Sequence, residues 1–328
     1  MIKIFKYREK TNIILALAFA VLFIMTAGCK PKDKIFTIGV INDVSVLSPT
    51  FEGFKGGMAE LDYIEGNNVR YIYNGVVENS QKIIDSEIKK LMAQDVDMFL
   101  TLGNNTSLLA KEALKETEMP ILISACNKPI KYGLIESMSY AGGNITGVIV
   151  ADSGPKALEW LLMIVPGAKK IFLPYNPDSK ISVISLEGLD KASSQLGIEI
   201  VYHEVHSFEE TIAAIENLPE EIDAIFRIPS PILDSRSSEI SQAAIKKKIP
   251  LGARLELDDA VLMTYAADLY EVGRQTARLA DQIRQGIRPA DIPVETSDVF
   301  LTINLNTAEK IGLSIPDGIL AQANKIIR

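Results

Sequence analysis

The feature that most restricts this chain is an alternation, run through twice, of short β-branched stretches with longer amphipathic ones. In the first series the apolar runs predict strands at 36–41, 69–73, 98–102 and 121–124, and the periodic segments between them predict helices at 50–63, 80–94 and 106–116. A second series predicts strands at 171–175, 198–203, 224–228 and 249–253 and helices at 179–196, 208–217 and 233–247. A strand that returns beside its predecessor after a helix lies parallel to it, with helices covering both faces. The expected fold is therefore α/β, with two doubly wound, Rossmann-like lobes and a ligand cleft between them. The turn-rich run Ala141-Gly142-Gly143-Asn144-Ile145-Thr146-Gly147 stands between the series and reads as a hinge. A strand at 261–266, a helix at 269–285 and a strand at 299–304 are left over and are expected to cross back. That divides the chain into a first lobe of 35–148 with 267–296 and a second of 149–266 with 297–328.

Composition supports two folded units and excludes several function classes. The 328 residues, 47% hydrophobic and 23% charged, suffice for two cores. The net charge is −8, although Lys3, Lys6, Arg8 and Lys10 oppose only Glu9 near the start, so the body is more acidic still. Such a body repels phosphate backbones and anionic lipid, which argues against nucleic acid as a partner. The basic start, the apolar run 13–25 and Thr26-Ala27-Gly28-Cys29 read as an export signal over 1–28, with 29–34 as a tether. As a retained anchor, residues 13–28 would give about 24 Å of helix against a hydrocarbon core of about 30 Å. Small residues before a lone cysteine look like a bacterial lipoprotein signal with lipid on Cys29, although Thr26 stands where such signals usually carry Leu. The body is then extracytoplasmic and meets the membrane only through its lipid anchor.

With Cys29 so used, Cys126 has no partner for a disulfide, and neither a thiol cluster nor the His203/His206 pair with a third ligand offers a metal site. No phosphate-loop, nucleophile-elbow, dinucleotide or zinc-protease signature occurs in the sequence, so neither a cofactor nor a catalytic residue is expected.

Several segments together resemble the extracytoplasmic substrate-binding proteins of ABC importers, in the branch that includes tryptophan- and tyrosine-type binding proteins. They are Gly252-Ala253-Arg254, Leu262-Met263-Thr264-Tyr265, Gly273-Arg274-Gln275, Arg288-Pro289-Ala290-Asp291-Ile292-Pro293-Val294-Glu295, Ile303-Asn304-Leu305-Asn306-Thr307-Ala308 and Gly312-Leu313-Ser314-Ile315-Pro316. The resemblance covers nearly everything after the signal. It implies a type I periplasmic-binding-protein architecture, a small polar, anionic or amino-acid-like solute held between the lobes, delivery to an ABC permease with its ATPase, a monomer, and no catalysis. The alternatives are a ligand sensor for a membrane signalling receptor and an extracytoplasmic enzyme on the same fold, for which Asp258 and Asp259 offer a carboxylate pair.

In open α/β sheets ligands bind beyond the carboxyl ends of the strands. In the first lobe those loops offer Asp43 and Ser45, then Asn104, Asn105 and Thr106, then Cys126. Capping of the next helix competes with solute contact for Asn105 and Thr106, and Cys126 also reads as a small core filler. The second lobe offers Tyr175, Asn176 and Ser179, then Arg227 and Ser230, then Arg254. An arginine ending an apolar strand needs a carboxylate or a bound anion. For Arg254 the competing partners are Glu256, Asp258 and Asp259. Lys128 and Ser230 stand where the family resembled often has Asp, which favours a solute with negative charge.

Overall fold

The computed structural model describes residues 34–234, 236–255 and 260–328, so the predicted signal, Cys29 and the Glu256, Asp258 and Asp259 side chains lie outside the described residues. In chain order the first part runs β1 (Phe36–Asn42), α1 (Ser48–Glu60), β2 (Val69–Ile72), α2 (Gln81–Met92), β3 (Met98–Leu102), α3 (Asn104–Leu114), β4 (Ile121–Cys126) and β5 (Ile145–Ile149). Next come α4 (Gly154–Ile164), β6 (Lys170–Tyr175), α5 (Lys180–Ser185), α6 (Leu189–Leu196), β7 (Glu199–Glu204), α7 (Phe208–Glu216) and β8 (Ala224–Arg227). The remainder is α8 (Pro231–Asp234), α9 (Ser237–Lys246), β9 (Leu251–Ala253), β10 (Met263–Ala266), α10 (Leu269–Arg284), β11 (Glu295–Thr296), β12 (Phe300–Asn304), α11 (Leu305–Ile311), α12 (Asp317–Leu320) and β13 (Lys325–Ile327).

Two sheets result, with strand orders β11-β5-β4-β3-β1-β2 and β13-β12-β10-β9-β8-β6-β7. The first is parallel throughout, and the second is broken in direction only where β12 runs antiparallel to β10. Read from their second strands, both sheets share the winding 2-1-3-4-5, which reverses direction beside the first strand and opens a crevice there. Each sheet is sandwiched between helical layers. Ile38, Val40, Phe54, Met98 and Ala277 fill one side of the first sheet, and Ile41, Ile88, Phe99 and Ile123 fill the other. Leu161, Leu173, Phe226 and Ile303, then Phe172, Ile225, Ile240 and Leu251, do the same for the second. The chain passes between lobes after β5, between β10 and α10, and between β11 and β12.

Three local expectations change. The helix expected over 179–196 is two, α5 and α6, because Gly188 takes a left-handed φ of 82° between them. The helix expected over 233–247 begins earlier and is likewise two, α8 and α9. The run expected to form a hinge instead enters β5, an interior strand between β4 and β11, in which Ile145 to Gly147 pair with β4 and Val148 and Ile149 pair with both neighbours. Gly147 is required there, since a Cβ would lie 1.9 Å from the Ile123 carbonyl oxygen.

Helix α10 belongs to the first lobe although it follows most of the second in sequence. Its buried stripe of Val272, Gly273, Thr276, Ala277 and Ala280 follows helical periodicity, and Asp268 caps it by accepting from the Tyr270 and Glu271 amides. The stripe meets Gly53 and Gly57 of α1 so closely that a Cβ on Gly53 would stand 1.9 Å from the Tyr270 carbonyl oxygen, and one on Gly273 1.9 Å from that of Thr50.

Candidate functional site

The first lobe builds its floor from the loops after β1, β3 and β4. Asn42 closes the first loop by accepting from the Val44 amide at 2.9 Å. That turn buries Asp43, whose Oδ2 accepts from Asn105 Nδ2 at 2.8 Å while Oδ1 stays buried and unpartnered. Burial raises the Asp43 pKa, with the Asn105 bond opposing it. Asn105 also donates to Asn79 Oδ1 at 3.0 Å. Asn104 reads the next loop with both ends of its amide, donating to the Asn127 carbonyl and accepting from the Asn127 amide, each at 2.8 Å. This clamp leaves Asn127 Oδ1 buried and unpartnered. Ser45 is exposed on a short 3₁₀ turn.

Two expected contacts in this lobe are corrected. Thr106 turns its hydroxyl back to the Leu102 carbonyl at 2.7 Å, and Cys126 is fully buried with Sγ 3.4 Å from Ser107 Oγ. Burial pushes the thiol up to about 12, so Cys126 is an inert core filler.

In the second lobe, Arg227 and Arg254 have different fates. Arg227 is 2% exposed and donates to Asp234 Oδ1 at 2.8 Å and Ser237 Oγ at 2.6 Å. Asp234 in turn accepts from the Ser230 amide at 3.0 Å, which holds the loop after β8. The guanidinium is thus consumed internally, and the expectation of a solute contact at Arg227 is corrected. Replacing Arg227 with Met is expected to destabilise the fold by about 3–5 kcal/mol, because Asp234 is left buried without its cation. Urea melts check this, and calorimetry on the folded fraction should show solute affinity retained. Tyr175 is also committed, donating to Glu204 Oε1 at 2.8 Å and standing edge-on to Tyr202 at the sheet's outer edge. Asn176 closes its own turn on the Asp178 amide at 2.9 Å, and Ser179 caps α5 through the Ser182 amide.

Arg254 is arranged otherwise. Its side chain is 3% exposed, and Nη2 donates to Asp152 Oδ1 at 3.0 Å in the first crossing between lobes. Among the described residues, Nε and Nη1 are buried and have no partner. The guanidinium lies against Gly154, where a Cβ would sit 3.3 Å away, so the first residue of α4 must be small for it to fit. Burial lowers the Arg254 pKa against the pull of Asp152. Ser230 Oγ and Ser185 Oγ are two more buried hydroxyls without partners in this lobe.

Lys128, in the left-handed conformation at φ 46°, reaches across from the first lobe. Its ammonium lies 3.2 Å from Asp152 Oδ2 and donates to the Ile184 carbonyl at 3.0 Å. Its charge is therefore met within the protein, so Lys128 by itself gives no ground for expecting an anionic solute. Beside Ser45 and the residue after Arg254 opens an interlobe cavity of about 650 Å³ with a mixed lining, apolar at Val46, Leu255 and Phe300 and polar at Asp268, Glu271 and Lys325. Reading the sequence alone missed Asp152, Asn127 and this chamber. Asp152 carried one signal, as a lone acid just before the Gly154-Pro155 helix start.

His203 packs on Phe172, and His206 pairs with Asp178 at the surface. Among the described residues no group of three His, Cys, Asp or Glu side chains is placed to hold a metal ion, and no helix is long and apolar enough to cross a membrane.

Comparison with known proteins fits this architecture. A tyrosine-binding protein of Clostridioides difficile is 25% identical over 285 residues, covering 86% of this chain and 82% of that protein. The structure of an ABC domain in complex with L-Trp from Streptococcus pneumonia superposes with a TM-score of 0.79 at 23% identity, over 90% of this chain and all of that one. A ligand-free, open substrate binding protein with adhesive properties from Clostridium difficile gives 0.73 at 23% identity, over 89% and 99%. The lobes thus have the type I periplasmic-binding-protein fold. The profile of ABC transporter substrate binding proteins matches residues 37–327. The chain belongs to the ABC transporter substrate binding protein family, whose members are binding proteins and not enzymes.

Proposed function

We propose that this chain is the extracytoplasmic solute receptor of an ABC importer and that its solute is an α-amino acid with a large apolar side chain. One observation carries the reading: among the unpaired buried polar atoms at strand ends, carboxylate and amide acceptors stand in the first lobe, beside the amide donor Asn42 Nδ2, and the charged donor stands in the second. The first lobe presents the acceptors Asp43 Oδ1 and Asn127 Oδ1, and the second presents the donors Arg254 Nε and Nη1 with the hydroxyls of Ser230 and Ser185. An ammonium against the first set and a carboxylate against the second would satisfy both, and only with the lobes together. The relatives that are tyrosine-binding and in complex with L-Trp support the same class and the large apolar side chain. In this reading the export signal is removed, Cys29 carries the lipid, and the closed monomer delivers its solute to the permease.

Thermal shift and calorimetry with L-tryptophan, L-tyrosine and L-phenylalanine test the proposal, with tryptamine and N-acetyl-tryptophan as probes lacking one pole each. A solute at 100 times its Kd is expected to stabilise the protein by about 2.7 kcal/mol. Both truncated probes should bind far more weakly. If N-acetyl-tryptophan, or a simple carboxylate, bound as tightly as the amino acids, the two-pole reading would be wrong.

A further inference from the structure

The lobes also touch beside the proposed solute site, next to the unpaired Asn127 Oδ1 and Ser185 Oγ. The loop after β4 carries Lys128, Lys131 and Tyr132, and α5 with the turn after it carries Lys180, Ile184 and Glu187. Lys128 Nζ donates to the Ile184 carbonyl at 3.0 Å and lies 3.8 Å from Glu187 Oε2. Lys131 pairs with the other oxygen of Glu187, and the Lys180 ammonium stands 4.6 Å from the centre of the Tyr132 ring. Every one of these contacts joins residues of opposite lobes.

We propose that this cluster is a cross-cleft latch in which Lys128 and Glu187 act as positioning residues, setting solute affinity without touching the solute. The contacts exist only when the lobes meet, so they shift the equilibrium toward the closed form, and apparent affinity scales with the closed fraction. Lys128 has a second effect through Asp152, whose two oxygens it shares with Arg254 at 3.2 and 3.0 Å. Closing the latch therefore steadies the carboxylate that orients the Arg254 guanidinium. Glu187 and Lys131 are 42% and 48% exposed, so their pairing is open to screening by salt, whereas Lys128 at 13% is more sheltered.

The inference rests on the reading that the cleft closes over an amino acid, and the test separates the two. Fluorophores on the two lobes report interlobe distance in the protein without solute. Glu187→Gln and Lys128→Met should both lengthen it, and high salt should lengthen it in the parent but hardly in Glu187→Gln. Calorimetry should then show L-tryptophan and L-tyrosine weakened by the same factor, about three- to tenfold, with their ratio unchanged. An unchanged interlobe distance would overturn the latch. A changed ratio would overturn it too, because the residues would then contact the solute. If no amino acid binds the parent, the proposed function fails while the distance measurement still decides the latch.

Discussion

Replacing Arg254 with Met is expected to abolish tight solute binding while leaving the protein folded. The side chain is buried, yet only Nη2 is paired, so the remaining two nitrogens, Nε and Nη1, have their best partner in a solute carboxylate. Removing one member of a buried, hydrogen-bonded charge pair costs about 2–5 kcal/mol, a loss of roughly 30- to 5,000-fold in affinity. The usual complication, an orphaned internal carboxylate, is small here because Asp152 is 39% exposed and keeps Lys128 at 3.2 Å. Arg254→Lys should recover part of the loss, since it restores the charge without the planar fork. Calorimetry gives the affinity and circular dichroism melts establish that the variant folds. Unchanged affinity in Arg254→Met would place the arginine outside the site.

The second large effect is on stability. Gly53→Ala and Gly273→Ala are each expected to lower the melting temperature by several degrees, and Gly318→Ala to leave it unmoved. In the first two the added carbon would overlap a backbone carbonyl oxygen at 1.9 Å, and neither oxygen can step aside without its helix. Overpacking of this kind costs about 1–3 kcal/mol, and each kcal/mol is worth about 2–4 °C in a domain of roughly this size. Gly318 in α12 meets nothing within 4 Å and serves as control. The double variant should fall short of the sum of the singles, because one outward shift of α10 from α1 relieves both overlaps. Differential scanning calorimetry decides it, and full additivity would show that the helices do not move as a pair.

The strands and helices were legible because their periodicities are local. Residues 98–102, for instance, were read with the bounds that β3 has. What failed locally did so for a physical reason: a single glycine, Gly188, splits one amphipathic run, and the glycines around Ile145 conceal a strand whose partners lie far off in sequence. Asp43, Asn105 and Arg254 stand at strand ends, a position the sequence alone gives. Their partners were less accessible, since Asp152 and Arg254 are 102 residues apart and only the fold makes them neighbours. Lys128 read from sequence as a free cation, whereas the fold pairs it with Asp152 and Glu187, each remote in sequence. Arg227 was decipherable in principle, its acid standing seven residues on.

The late return of α10 and β11 to the first sheet has a consequence for biogenesis. The edge of that sheet and the cover over Phe54 and Met58 are supplied by residues beyond 268, so the amino-terminal half cannot mature as it emerges. It must wait, with an apolar face open, for a segment made some two hundred residues later. Such a polypeptide has high contact order, folds slowly and offers chaperones a long window in which to hold it. A fragment cut after residue 150 should accordingly precipitate rather than yield a working half.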